Sequence, residues 1–550
     1  MATARPPYRQ RVTSPEGARS RGRRPWRLLC AAGALLLAAA SWAADARVPI
    51  DRFEVSGNTL LPQAAVDEAL GAAGADMDIP EMQAAAQRLQ DAYRAAGWGA
   101  VAVLLPEQPL DDKVLRLQVV EGKLSQVSAT GQYRFSRDNI LRSVPALQPG
   151  HTPRLEDLDR ELLLANTNPA KYSRVMLQPG LDAGDVEALV TVEERPMRPW
   201  RIDLDNTGTP DTGRWRLAAQ YQNANVADRD MVLGVRAVTA PERPSQVAVL
   251  SSTLRVPLYA AHAALEAALL ASNTRSSTNT TPAGDLRFAG DGLSAGVRAI
   301  WMLPGLGESK SQLSLGLDLR RYRTRCTLGD LGEAGCAAAS NNSQHALPLA
   351  LGVTLYRPGS HMLNIQWVHN LPWGSAGRDS DYDANRPGAD SRYQLLRLNA
   401  QVLARLSPQW QLKWRLDGQY APRALVVAEQ IGVAGSTTVR GYEERALVGD
   451  SGASTSLELS TRLDTLLGQP VSDAWPTLAF FVDAGGVSNR LGSPCRPGHA
   501  SCRLWSAGLG ASWAVDNRFF LRIDAARAGT HVQDTQRGDW KLHLGLTAQF

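Results

Sequence analysis

From Pro199 to Phe550 the chain drops helical periodicity and alternates apolar with polar residues at period two. An extended chain sends successive side chains to opposite faces, so this pattern specifies strands with one apolar and one polar side. Trp215, Leu217, Ala219 and Tyr221 alternate with Arg214, Arg216 and Gln220. Leu313, Leu315, Leu317 and Leu319 alternate with Ser314, Gly316, Asp318 and Arg320. Trp410, Leu412, Trp414, Leu416 and Tyr420 alternate with Gln411, Lys413, Arg415, Asp417 and Gln419. The final run places Trp540, Leu542, Leu544, Leu546, Ala548 and Phe550 against Lys541, His543, Thr547 and Gln549.

These runs span about 9–11 residues, longer than the roughly five of a soluble sandwich strand and suited to a tilted bilayer crossing. A soluble sandwich or propeller leaves the charged faces unexplained, as it does a chain that stops on an aromatic in mid-alternation. Apolar faces on lipid, polar faces inward and aromatics at the interfaces describe a transmembrane antiparallel β-barrel. The 14 Trp residues suit such interfaces. At roughly 20–24 residues per strand and turn, residues 199–550 hold about 14–18 strands, with an even number near 16 expected. Sixteen strands leave room for water inside.

The N-terminus predicts export. Arg19, Arg21, Arg23, Arg24 and Arg27 precede an apolar run from Leu28 to Ala40. Ser41-Trp42-Ala43 or Ala44-Asp45-Ala46 then supplies small residues for cleavage, so residues 1–44 read as a signal peptide. The run is too short to span a membrane. Arg23-Arg24 does not argue for the folded-protein route, because a barrel must cross the inner membrane unfolded. The net charge of +5 owes much to these leading arginines, and no basic stripe interleaved with aromatics follows, so nucleic acid is not an expected partner.

Cys30 lies in the signal peptide. Cys326 with Cys336, and Cys495 with Cys502, form two close pairs in loop-like surroundings, which predicts two local disulfides in an exported chain. A zinc reading finds only His499 to join a pair, too few ligands for a closed site. No metal or other cofactor is expected.

Between signal and barrel the periodicity is mixed. Residues 48–122 read as a strand at Arg52–Val55, a helix from Pro62 to Leu70, a longer helix after Pro80 ending at Gly97, and strands at Ala100–Leu105 and Val114–Val120. Residues 123–196 repeat that β-α-α-β-β order. Leu124–Ala129 is a strand, Asp138–Ser143 and Leu155–Ala165 are helices, and Arg174–Leu177 and Val186–Val192 are strands.

The sharpest local signal is Val439-Arg440-Gly441-Tyr442, after the Gly-rich stretch Gly432–Thr438. Some forty residues on stands Phe481-Val482-Asp483-Ala484-Gly485, where Leu478, Phe480 and Val482 face lipid while Ala479, Phe481 and Asp483 face inward. An inward buried carboxylate needs a partner, and the Arg440 guanidinium can pair with it bidentately if its loop folds into the lumen. Gly449-Asp450-Ser451-Gly452 imitates a serine-protease nucleophile loop, but no histidine base accompanies it, so no enzyme activity is expected.

Taken in this order and spacing, the two β-α-α-β-β units, the Arg-Gly-Tyr loop, the Phe-x-Asp-x-Gly strand and the terminal Phe550 resemble the two-partner secretion transporters of the ShlB/FhaC/HecB type. Asp205-Asn206-Thr207-Gly208 with Thr212-Gly213, and Pro179-Gly180 in the second unit, carry the same resemblance. It covers about residues 48–550 and reaches the superfamily of the barrel-assembly protein BamA. It implies two periplasmic POTRA domains, at 48–122 and 123–196, and a barrel at 199–550 in the outer membrane of a Gram-negative bacterium.

The resemblance further implies that the POTRA domains bind an unfolded exported partner, which the barrel passes to the cell surface without nucleotide, as in haemolysin or adhesin secretion. Arg440 would sit inside the barrel, tied to Asp483. Phe550 would act as the C-terminal signal to the barrel-assembly machinery during biogenesis. The POTRA sheet edges can take up an extended chain as an added strand, although they could also serve as spacers. The alternatives are an assembly factor that inserts other barrels, which usually carries more POTRA domains, and a diffusion porin, which needs none. Relatives often carry an N-terminal plug helix; here the first strand starts within about ten residues of the cleavage site, so no room for that plug is expected.

Overall fold

The computed structural model describes residues 47–275, 279–281, 284–328, 342–472, 475–492 and 498–550. The expected signal peptide (1–44), Cys30, Cys336 and Cys495 lie outside them. The chain divides into two compact units, one of residues up to 92 with 103–119 and the other of 93–102 with 120–550.

Within residues 48–122 Arg52–Ser56 runs parallel to Val114–Glu121, and Val101–Leu104 takes the other side of that central strand. Helix Gln63–Leu70 buries Val66 and Leu70, and helix Ile79–Ala95 buries Met82, Ala85 and Leu89. The second helix begins before Pro80 rather than after it. Asp78 and Glu81 close a reciprocal cap, each backbone N–H donating to the other's carboxylate at 2.8–2.9 Å. Proline is accommodated in that first turn because its missing N–H has no helical acceptor. Val48–Ile50 pairs with Ala75–Met77, a ribbon the sequence did not foretell; three residues are too few to show alternation.

Residues 123–195 form the sheet order Lys123–Thr130, Asp185–Glu194, Lys171–Pro179, with helices Arg137–Arg142 and Leu155–Ala165. Ser136 caps the first of these helices by accepting from the Asn139 N–H. Leu124, Phe135, Ile140, Leu158, Val190 and Val192 make the core.

The rest closes into a barrel of sixteen antiparallel strands among the described residues. The last strand, Trp540–Gln549, pairs with the first, Trp200–Asp205, from Gly545 opposite Asp205 to Gln549 opposite Arg201. Leu293, Val297, Leu315, Leu317, Leu319, Leu351 and Val353 are exposed apolar residues on neighbouring strands, the outward band the alternation calls for. The expected length of about 9–11 residues does not hold for every strand. The first strand has 6 residues, while Gly284–Leu306, Ser309–Leu328 and Asn342–Arg357 have 23, 20 and 16. Hairpin pairing continues past the bilayer wherever both partners carry on in register, and hydrophobicity marks only the lipid-facing part.

The second soluble domain packs on one rim of this barrel. Lys171 donates to Asp230 across 2.6 Å, with both side chains shielded from water, and the Tyr259 hydroxyl donates to the same carboxylate at 2.6 Å. Asp230 sits in the turn between the second and third strands at φ +58°, a left-handed conformation that Asp tolerates better than most residues.

Candidate functional site

The segment 421–450 joins the eleventh strand, Trp410–Tyr420, to the twelfth, Ser451–Arg462, at the rim opposite the soluble domain. It does not stay outside. A short helical turn, Val427–Glu429, leads into a two-stranded ribbon of Ile431–Val433 and Leu447–Gly449, and the residues between them enter the barrel. Val433, Ala434, Val439, Tyr442 and Leu447 pack against Val487, Leu504 and Ala528 on the wall.

Alternation decides which wall residues meet this loop. Leu457, Phe480 and Val482 are exposed outward, so Ser456, Glu458, Phe481 and Asp483 face in. Arg440 is fully buried among them. Its Nε donates to Asp483 Oδ2 at 2.7 Å and its Nη2 to Oδ1 at 2.9 Å, a bidentate pair. Nη1 donates to Glu458 Oε2 at 2.9 Å and lies 3.6 Å from Asp524 Oδ1, while Nη2 also reaches Ser456 Oγ at 3.2 Å. The Arg440 backbone N–H donates to Asp483 Oδ2 at 3.1 Å. The guanidinium lies over the Phe481 ring, 3.3 Å from its centroid. Arg522 joins the cluster through Glu458 and Asp524, so two cations face three carboxylates.

The neighbours of Arg440 set its place. Gly441 has φ +92°, which L side chains rarely adopt, and its N–H donates to His543 Nε2 at 2.9 Å on the last strand. Tyr442 is buried, and its hydroxyl donates to the Trp505 carbonyl at 2.8 Å. A Cβ on Gly485 would stand 2.6 Å from Val433 Cγ1 and 3.2 Å from Val439 Cγ2, so a bare backbone there lets loop and wall approach.

The sequence singles out Val439, Arg440, Gly441, Tyr442, Phe481, Asp483 and Gly485, and the structure gathers all seven in one place. Glu458, Ser456, Asp524 and His543 were not singled out. The alternation of Leu457 and Leu459 around Glu458 marks it as an inward charge, but nothing local couples Asp524 or His543 to Arg440. Asp450, in the protease-like stretch, accepts from Leu425 N–H at 3.0 Å, Gln430 Nε2 at 3.0 Å, Arg490 N–H at 2.8 Å and Arg386 Nη2 at 3.1 Å. It ties three loops together. Ser451 Oγ exchanges hydrogen bonds with the Ala421 backbone. Cys326 and Cys502 are each disulfide-bonded. Phe550 is over half exposed, and its N–H donates to the Trp200 carbonyl at 2.9 Å.

The description "haemolysin secretion/activation protein ShlB/FhaC/HecB" fits residues 187–513 by its family model, and the model of a POTRA domain, ShlB-type, fits residues 48–122. The chain belongs to the ShlB/FhaC/HecB family. As a member of that family it is an outer-membrane transporter of the two-partner secretion type, with its POTRA region in the periplasm. The rim that carries 421–450 therefore faces the cell surface. The chain is 25% identical over 477 residues to the outer membrane transporter CdiB of Escherichia coli O6:K15:H31, covering 84% of this chain and 76% of that one. The solved structure of CdiB from Escherichia coli superposes with a TM-score of 0.76 at 19% identity, over 93% of this chain and 92% of that one. CdiB from Acinetobacter baumannii gives 0.69 at 16% identity, over 92% and 90%. These two structures share the fold with this family member.

Proposed function

We propose that the protein takes an unfolded exported partner from the periplasm and passes it through the barrel to the cell surface. The observation that carries this reading is the loop 421–450 folded into the lumen and held there by Arg440 on Asp483, Glu458 and Ser456. A loop secured by side-chain contacts, polar and apolar, rather than by continuous pairing with the barrel strands can leave without dismantling the barrel, so the passage can be cleared for a chain. The sheet edges of the second soluble domain, Lys123–Thr130 and Lys171–Pro179, offer backbone groups on which an extended polypeptide can add as a strand, and exposed Met176 on the latter offers an apolar contact. The directed transport requires no bond to be made or broken, and we read the chain as having no enzymatic step. Membership in a secretion family supports export over insertion of other barrels.

Deleting the gene and comparing the proteomes of culture medium and cell surface tests the proposal. Loss of one large exported protein, with other outer-membrane barrels at normal abundance, is expected. A general loss of barrels would instead assign the protein to assembly.

A further inference from the structure

The loop 421–450 has a second attachment, eleven residues before Arg440 and on a different part of the wall. Glu429 is buried. Its carboxylate accepts from Arg320 Nη1 at 2.8 and 3.0 Å and from the Tyr322 hydroxyl at 3.2 Å, and lies 3.6 Å from Arg397 Nη2. Arg320 and Tyr322 belong to the seventh strand, Ser309–Leu328, and Arg397 to the tenth, Gln394–Arg405. The Glu429 carbonyl accepts from Gln419 Nε2 at 2.9 Å, and Gln419 Oε1 in turn accepts from Arg397 Nε at 3.1 Å.

Charge is inverted between the two ends. At Arg440 the loop contributes the cation and the wall the carboxylates; at Glu429 the loop contributes the carboxylate and the wall the cations. The wall partners of Glu429 stand on the seventh and tenth strands and those of Arg440 on the twelfth, thirteenth and fifteenth, so Asp524 lies eight strands from Arg320 while Glu458 lies two from Arg397. The two attachments therefore grip separate stretches of the wall on either side of the eleventh strand, and with opposite charges they cannot trade partners.

We propose that Glu429 is a second latch, and that the loop closes the resting passage only when both latches are made. The purpose of the closure rests on the export reading above; the geometry does not. The loop is held at its base by the eleventh and twelfth strands; one contact within it leaves the rest free to swing, whereas two contacts on separate stretches of the wall hold it across the path. Loss of the Glu429 charge leaves Arg320 and Arg397 facing each other with Asp318 as the remaining carboxylate beside Arg320, at 2.6 Å, which favours the released state.

The test is conductance of the purified full-length protein in planar lipid bilayers, without any exported partner. Glu429→Gln keeps the shape and removes the charge. It is expected to open about ten times more often than wild type, a population shift of the size that loss of one buried contact produces. Arg320→Gln should do the same, and Glu429→Asp should close again in part. Heat-modifiable migration on a denaturing gel shows that each variant's barrel is folded. If Glu429→Gln does not fold, the Arg320→Gln/Arg397→Gln pair is read in its place. A folded variant with wild-type traces, while Arg440→Gln opens, overturns the second latch and leaves a single one. Because no cargo is in the bilayer, failure of this proposal leaves the export reading intact, and absence of any exported partner leaves the conductance result interpretable.

Discussion

Arg440 and Asp483 face each other in a two-pronged contact of 2.7 and 2.9 Å, with no water-accessible surface on either side chain. Forty-three residues separate them in the chain, and one belongs to a loop while the other belongs to the wall.

Arg440→Ala removes the cation on which Asp483, Glu458 and Asp524 converge. Breaking a buried pair in this way costs about 3–5 kcal/mol. The cost falls on docking of the loop, since the barrel's own strand pairing is untouched. The variant is expected to insert at normal abundance and to secrete poorly, because export on this reading needs the loop to dock and release in turn and a loop that cannot dock cannot complete the cycle. Unchanged secretion at wild-type abundance would refute the role. Arg440→Lys should recover little, because an ammonium cannot reproduce the two-pronged contact or the stack on Phe481.

Lys171→Met should loosen the second soluble domain from the barrel. Asp230 would then be buried with the Tyr259 hydroxyl as its one side-chain donor among the described residues, again a penalty of about 3–5 kcal/mol. Limited proteolysis of the full-length protein in detergent should cut the linker 195–199 faster than in wild type. An unchanged cutting rate would mean that the domain is held by its other contacts, such as Asn168 Nδ2 on the Ala224 carbonyl at 2.7 Å.

Stability of the same domain should depend on Glu161. Burial pushes its carboxyl up to about 7 from an ordinary 4.5; Asp157 adds to the rise, while the Ala146 N–H and Arg160 oppose it. His262 Nε2 stands 3.8 Å from the carboxyl, and burial, with Arg160, holds that imidazole low. A carboxyl that grips its proton more tightly when folded favours the folded state most below pH 4.5, and this contribution is lost as pH rises towards 7. Each tenfold change in proton affinity is worth about 1.4 kcal/mol. The unfolding transition of the soluble region, followed by helical circular dichroism, should therefore fall between pH 4.5 and 7. Glu161→Gln should flatten that slope, and an equal slope in both proteins would exclude Glu161 as its source.

Thiol titration of the mature protein under denaturing, non-reducing conditions should find no free cysteine, with Cys326–Cys336 and Cys495–Cys502 oxidised. Peptide mapping would show the pairing. Two or more free thiols, or a crossed pairing, would remove the local-disulfide reading.

How much was legible follows from what each signal encodes. Period-two alternation depends on backbone geometry alone, so residues such as Phe480 and Asp483 could be sent to opposite faces before any strand partner was known. Helices of the soluble units were legible for the same reason at period 3.6, and Leu155–Ala165 was located to the residue. The short ribbon Val48–Ile50 with Ala75–Met77 was not, because its stability comes from its partner rather than from its own residues.

By itself the sequence determined an exported chain of two soluble α+β units and a lipid-facing barrel, and it marked Arg440 and Asp483 as a pair. Those features arise from local periodicity and from one conspicuous motif. Only the tertiary structure decided that Glu429 meets Arg320 across 109 residues, that Lys171 meets Asp230, and that Asp524 and His543 share the Arg440 pocket. A charged residue's identity states that it needs a partner when buried, not which one. Strand register and closure of the sheet bring particular inward positions to the same depth on facing walls, and no local stretch of sequence carries that information.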